Sequence, residues 1–264
     1  MIPASKAAQA LNSLIDILKD FELKRVNLSP LHRQRIQGLV DKVPANAPEK
    51  PIAKIMQACF LRDFDSVDEE LERAAALSCN DTDIELNIAK GMSESFQFNW
   101  FLKFVESRLE SHQDDPRFLY HACYGLKTYG LYNLAWVLCC QLEKLNVESH
   151  EYHDHIAQQA ARYQKLDITD EAVADYLTKA MAPTRDMLSR NPEVLYSLSS
   201  QVFDDSDPDN FIFVLRLDAT TEQILDLSDA IADHLCESEL DEIVDEHFGC
   251  SVWAYDKEDM QHAS

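Results

Sequence analysis

The sequence predicts a mainly α-helical protein: an α-solenoid of stacked helical hairpins, followed by a small acidic α/β C-terminal domain. Three observations carry this. Phe64-Asp65, Phe98-Asn99, Tyr132-Asn133 and Leu166-Asp167 each pair a large apolar residue with Asp or Asn, and each pair stands 34 residues after the last. That period belongs to helical-hairpin arrays. Only 5 Gly and 9 Pro occur in 264 residues, which suits helices joined by short connections. From Phe211 the pattern changes type. FIFVLRL (Phe211 to Leu217) is a near-continuous apolar run, expected of a strand buried on both faces.

Cut at one phase, the chain yields four gapless units: 48–81, 82–115, 116–149 and 150–183. Ala58, Met92, Leu126 and Ala160 form one apolar column, and Leu71, Val105, Cys139 and Val173 another. The Asp/Asn column is expected at or near the N-cap of each second helix, where a short polar side chain accepts a bond from an unpaired first-turn amide. One hairpin cannot bury both faces of its helices, whereas stacked neighbours can.

The third unit carries YGLYNLAW (Tyr129 to Trp136). It resembles a tetratricopeptide repeat: Gly130, Tyr132 and Ala135 fall where that family places Gly, a large aromatic and Ala, and Cys123 takes the place of its small first-helix residue. The likeness covers about residues 48–183. The other units depart from it, with Arg62, Phe96 and Gln164 at the Gly position and Val67, Phe101 and Thr169 at the Ala position. The resemblance implies a concave partner-binding groove lined by Lys90, Glu94, Tyr120, Tyr124, Lys127, Asp154, Gln158 and Arg162. Tyr120 and Tyr124, one helical turn apart, are the expected aromatic anchor; ordinary packing between repeats is the competing reading.

Taken in order, residues 5–23 place Leu11, Leu14, Ile15, Leu18 and Phe21 at helical spacing. Ser29-Pro30 supplies a cap and a first-turn proline for a helix running to about Val43. Residues 1–47 are therefore expected to form a helical hairpin that caps the array. PANAPEKP (Pro44 to Pro51) breaks the helix and opens the array, which is expected over 48–203. Pro183 is expected to stop the last repeat helix, and Asn191-Pro192-Glu193 to start a short helix through about Val202. Residues 204–264 are expected to form an acidic β-α-α-β domain. Its parts are the Phe211 strand, a helix capped by Thr220 or Thr221, a short helix from Ser238 with Gly249 as its C-cap, and a strand over Ser251 to Tyr255. Two strands alone make no stable sheet. They must pack on the helices or be extended by a partner.

Charge is the loudest compositional signal. The chain carries 24 basic and 47 acidic side chains, a net −23. Residues 204–264 hold 18 acids against Arg216 and Lys257, a net −16, and the preceding 203 residues only −7. Such a field repels nucleic acid and anionic lipid and attracts basic surfaces. Neither direct nucleic-acid binding nor membrane association is expected, and no run of 18 apolar residues occurs. The start, MIPASKAAQALNSL, lacks a basic segment followed by an apolar one. The seven cysteines are scattered without a Cys-x-x-Cys and read as buried structural thiols. A cytoplasmic protein is expected.

Chemistry is sparsely signalled. The five glycines build no phosphate-binding loop, and no G-x-S-x-G elbow is present. HEYHDH (His150 to His155) is the best metal candidate, but a zincin motif needs His-Glu-x-x-His and the second His falls one residue early. It reads as a polar helix start. His121 and Cys123, two apart on a helix, diverge by roughly 200°. The expectation is a non-catalytic, cofactor-free interaction protein (adaptor, chaperone or inhibitor) that engages a basic protein. The first alternative is a nucleic-acid mimic, its phosphates imitated by Asp226, Asp229, Asp233, Glu237, Asp241, Glu242 and Asp245. The second is an enzyme or regulatory subunit using the C-terminal domain.

Overall fold

A computed structural model describes residues 6–23, 29–76, 81–147, 152–202 and 210–255. The protein is predominantly α-helical with a small C-terminal β/α region. No helix of the described residues is long and apolar enough to cross a membrane. The chain divides into two compact units, one holding residues up to Ser95 with Leu188–Glu193, the other Phe96–Met187 with residues from Val194 on.

The first unit contains α1 (Lys6–Leu23), α2 (Pro30–Lys42), α3 (Glu49–Leu61), α4 (Phe64–Ala75) and α5 (Thr82–Glu94). The start of α2 is written locally. Ser29 accepts from the amide of His32, whose Nδ1 accepts from the Ser29 amide, and Pro30 needs no partner in the first turn. α1 packs on α2 and α3, and α3 packs on α4 and α5. Leu14, Ile36, Ile52, Val67 and Leu71 form the dry interior. Gly91 lets α5 close on α3, since a Cβ there would lie 2.5 Å from Ile55 Cγ2.

The second unit contains α6 (Phe98–Arg108), α7 (Pro116–Thr128), α8 (Tyr132–Lys144), α9 (His153–Leu166), α10 (Asp170–Ala180) and the start of α11 (Ala182–Arg190). Its remaining elements are β1 (Tyr196–Val202), β2 (Phe211–Leu217), α12 (Thr221–Glu237), α13 (Glu242–His247) and β3 (Phe248–Ala254). α7 packs on α8, α8 on α9, and α10 on both α6 and α8.

The Asp/Asn column does not cap its helices as expected. Asp63, not Asp65, caps α4. Asn99 and Asn133 stand one residue inside α6 and α8, and Asp167 is the left-handed residue ending α9. The N-caps of α6 and α8, Gln97 and Leu131, offer no side-chain bond. α10 and the residues before it satisfy those helix starts instead. Thr178 Oγ1 accepts from the Asn99 amide at 3.3 Å, and Asp170 accepts from the Asn133 and Leu134 amides at 3.1 and 2.7 Å. The asparagine side chains point the same way, Asn99 Nδ2 donating to Asp175 and Asn133 Nδ2 to the Ile168 carbonyl. An amide needs an acceptor, and a packed neighbouring helix supplies one as well as a local cap does.

The 34-residue interval reappears in backbone conformation. Arg62, Phe96 and Gly130 all take positive φ (57°, 61° and 70°), while two further positive-φ residues fall outside that interval, Asn146 after α8 and Asp167, the latter because α9 runs past Gln164. Left-handed backbone costs a side-chain-bearing residue about 1–2 kcal/mol. At Phe96 the burial of a phenyl ring, roughly 1.5–3 kcal/mol, outweighs that cost, and the ring lies 5.0 Å from Tyr196. At Gly130 a side chain would be both left-handed and crowded, since a Cβ would meet Phe213 at 3.1 and 3.2 Å. Gly130→Ala is expected to lower unfolding free energy by about 2–3 kcal/mol, joining the left-handed cost to the repacking of Phe213. A urea midpoint unchanged at equal m-value would contradict this account.

Three C-terminal expectations are corrected. The segment after Asn191-Pro192-Glu193 is the strand β1, not a helix, so the sheet has a third strand lying before residue 204. The order is β1-β2-β3, with β1 antiparallel and β3 parallel to β2. Tyr196 pairs with Leu217, and Phe211 with Phe248. The β-α-α-β reading therefore misses the strand that turns a bare pair into a sheet. The last repeat helix, α10, ends at Ala180 ahead of Pro183, and Pro183 itself sits in the first turn of a separate helix, α11, where its missing amide costs nothing. Ser238 ends α12 and Asp241 caps α13, while Gly249 lies within β3.

The core of this unit is aromatic. Tyr163 is fully buried, with Tyr132, Phe211 and Phe248 rings at 5.4, 5.0 and 5.9 Å. Phe248 stacks on Phe211 and Phe213, and Tyr176 closes the cluster. Strand alternation aims Phe211, Phe213, Leu215 and Leu217 to this side.

Candidate interaction surface

α7 buries Phe118, Leu119, Ala122, Cys123 and Leu126. Helical geometry then turns Tyr120, His121, Tyr124 and Lys127 away from that stripe. His121 is exposed and Cys123 buried, as their divergence requires. Asp115 fixes the start of α7, accepting from the Arg117 and Phe118 amides, and Pro116 sits in the first turn.

Tyr124 is 51 % exposed although large and aromatic. It is braced from the start of α9, where the Tyr152 ring meets it edge-on at 6.3 Å. The Lys127 ammonium lies 3.8 Å from the centre of the Tyr152 ring, a cation–π contact. Tyr120 is half-buried and meets His121 edge-on at 5.3 Å. On α9, Asp154 and Gln158 are exposed, and Arg162 donates to Gln159 of its own helix at 3.4 Å. These six groove residues thus share the second unit, and Lys127 and Arg162 are already engaged. Lys90 and Glu94 belong to the first unit, where they form an i,i+4 ion pair of 3.3 Å.

Beneath the tyrosines runs a polar chain. Ser200 Oγ bonds the Lys127 carbonyl at 3.3 Å and the Tyr132 hydroxyl at 3.0 Å, and that hydroxyl lies 3.4 Å from His155 Nε2. Burial raises the Tyr132 phenol, so it stays protonated. Burial, then the Lys127 and Arg162 charges, lower His155, so its imidazole is neutral at pH 7. The chain ties β1 to α7, α8 and α9. It satisfies buried polar groups, and the Tyr132 hydroxyl stands between Ser200 and the imidazole that would have to activate it.

His150 and Glu151 of the metal candidate lie outside the described residues. His153 faces Glu143 at 2.8 Å, and no group of three metal-binding side chains occurs among the described residues.

The second surface is α12. Ile224, Leu227 and Ile231 form its buried stripe. Asp226, Asp229, Asp233 and Glu237 lie roughly 150° around the helix from it and are all exposed. Asp241, Glu242 and Asp245 continue the acidic run, exposed at α13, and Asp241 also serves as the α13 cap. The start of α12 is local: Thr220 and Gln223 form a reciprocal capping box. Sequence reasoning missed Tyr152, the brace of the tyrosine patch, and Trp253, exposed on β3 beside Arg216. For Trp253 the signal was the alternation within β3. For Tyr152 it was the aromatic at the start of the helix after the third unit.

Comparison of the chain with known protein families, with proteins of assigned function and with solved structures gives no match.

Proposed function

We propose that this protein is a non-catalytic binding protein that grips a basic protein partner with two surfaces, the Tyr120–Tyr124 face of α7 and the carboxylate stripe of α12. The observation that carries the reading is Tyr124, held half in solvent by Tyr152. A large aromatic ring with its orientation set before binding loses little entropy on contact, which is the profile of an interface anchor. The acidic stripe supplies attraction and orientation for a positively charged partner. The proposal includes a tetratricopeptide-like hairpin array over about residues 48–183. Its support is the recurrence of the left-handed turn at Arg62, Phe96 and Gly130.

Affinity capture of the tagged protein from its native lysate, at low and at high salt, tests this. The expected outcome is one basic partner, retained in part at high salt, whose affinity falls at least about tenfold in the Tyr120→Ala, Tyr124→Ala double variant. One observation favours a second reading, nucleic-acid mimicry: the four α12 carboxylates recur at nearly one-turn spacing on one exposed face. Mimicry predicts a nucleic-acid-binding partner lost at high salt and indifferent to both tyrosines. Capture of no partner at either salt overturns both readings.

A further inference from the structure

Two thiols face each other between α7 and α8. Cys123 Sγ and Cys139 Sγ stand 3.4 Å apart, and Cys123 Sγ also lies 3.5 Å from the Ala135 carbonyl. Ala135 and Cys139 are one turn apart on α8, so Cys123 points along the seam rather than beside it. Both cysteines are nearly dry, 5 % and 6 % exposed. Closing the pair to a disulfide bond of about 2.05 Å requires the sulfurs to approach by roughly 1.3 Å.

We propose that Cys123 and Cys139 form a dithiol oxidation site that a hydroperoxide converts to an intrachain disulfide. In the first step the Cys139 thiolate attacks the peroxide oxygen and the O–O bond breaks. The alkoxide or hydroxide leaves with a proton, and Cys139 becomes a sulfenic acid. In the second, Cys123 sulfur attacks the sulfenic sulfur, the S–O bond breaks and water leaves with the Cys123 proton. Two thiols and one peroxide thus give one disulfide, one alcohol or water from the peroxide, and one further water. A dithiol reductant reverses the bond by exchange.

The close Cys123 sulfur lowers the Cys139 thiol, against the raising effect of burial and with help from His153, while the same contact and burial raise Cys123. The contact thus favours Cys139 as the attacking sulfur and Cys123 as the resolving thiol. Cys140, the next residue, points about 100° away and is raised by burial and by Glu143, so it serves as an internal control. The bond would fasten the helix that carries Tyr124 and Lys127 to its neighbour.

The test treats the reduced full-length chain with hydrogen peroxide. The remaining thiols are then alkylated, and intact mass and non-reduced peptides are read. The expected result is loss of two hydrogen atoms and a Cys123–Cys139 linked peptide as the main product, reversed by dithiothreitol. The link should be absent from Cys123→Ala and Cys139→Ser and kept in Cys140→Ser. Circular dichroism of each variant confirms that it is folded. Three results overturn the site: no linked peptide from the folded chain, a main link through Cys140, or Cys139 carried to sulfinic acid while Cys123 stays reduced.

Discussion

Tyr163→Ala is expected to lower the free energy of unfolding by about 3–5 kcal/mol, the range for emptying a buried aromatic site. Tyr163 joins several parts of the second unit. It rises from α9, meets Tyr132 of α8, and packs edge-on to Phe211 of β2 and Phe248 of β3. Its hydroxyl donates to the Gly130 carbonyl at 2.6 Å, the turn where α7 gives way to α8. Burial holds the phenol well above its ordinary range, so it remains a donor. Tyr163→Phe isolates that bond. It keeps the ring and leaves a buried carbonyl unpaired, for an expected loss of about 1–3 kcal/mol. Val137→Ala, 55 % exposed on α8, is the control, expected within about 0.5 kcal/mol of wild type. Equilibrium unfolding in urea compares the three. Equal effects from Tyr163→Ala and Val137→Ala would remove Tyr163 from the centre of the fold.

Asp170 is expected to make stability depend on pH in a direction opposite to an ordinary paired carboxylate. It is 5 % exposed. Desolvation pushes its pKa from 3.8 up to about 6, against the lowering effect of the Leu134 and Asn133 amides. A carboxyl raised on folding contributes stability that is fully present below its unfolded value. That stability is lost as pH rises through the folded value. Between about pH 4 and pH 7 the loss is on the order of 3 kcal/mol, because each tenfold change in proton affinity is worth about 1.4 kcal/mol. Asp170→Asn keeps one acceptor and does not titrate. Its stability relative to wild type should therefore rise by up to that amount from pH 4 to pH 7. Asp170→Ala leaves two amides at the start of α8 without acceptors and should be destabilised at every pH, by about 1–3 kcal/mol. Urea unfolding of the three proteins at pH 4, 5, 6 and 7 gives the curves. Parallel curves for wild type and Asp170→Asn would mean that Asp170 does not titrate in this range.

The two surfaces were unequally legible. The acidic stripe of α12 follows from sequence alone, because Ile224, Leu227 and Ile231 set the buried side and a helix then places Asp226, Asp229, Asp233 and Glu237. The tyrosine patch was half legible. Tyr124 is exposed as a groove residue should be, but Lys127 lies over Tyr152, a residue 25 positions further on. No spacing rule reaches that far.

The same division runs through the fold. Helix starts at Ser29-Pro30 and Thr220 were readable because a cap and its amides lie within three residues. The left-handed turns at Arg62, Phe96 and Gly130 share one phase because hairpin length is a local property of the chain. β2 declared itself as the apolar run of a central strand. Tertiary structure decided the rest. YSLSSQV alternates only at Tyr196, Leu198 and Val202, with Ser200 interrupting the apolar side, and it becomes β1 because β2 presents an open edge that antiparallel pairing satisfies. The first amides of α8 find their acceptor in Asp170, 37 and 36 residues away. The sequence by itself determined the locally capped helix starts, which face a helix buries and where charge accumulates, since neighbours within a turn settle those. Only the folded chain decided which distant atoms complete each helix end and sheet edge. A backbone amide accepts any correctly placed oxygen as its partner, and its sequence carries no mark of which one will arrive.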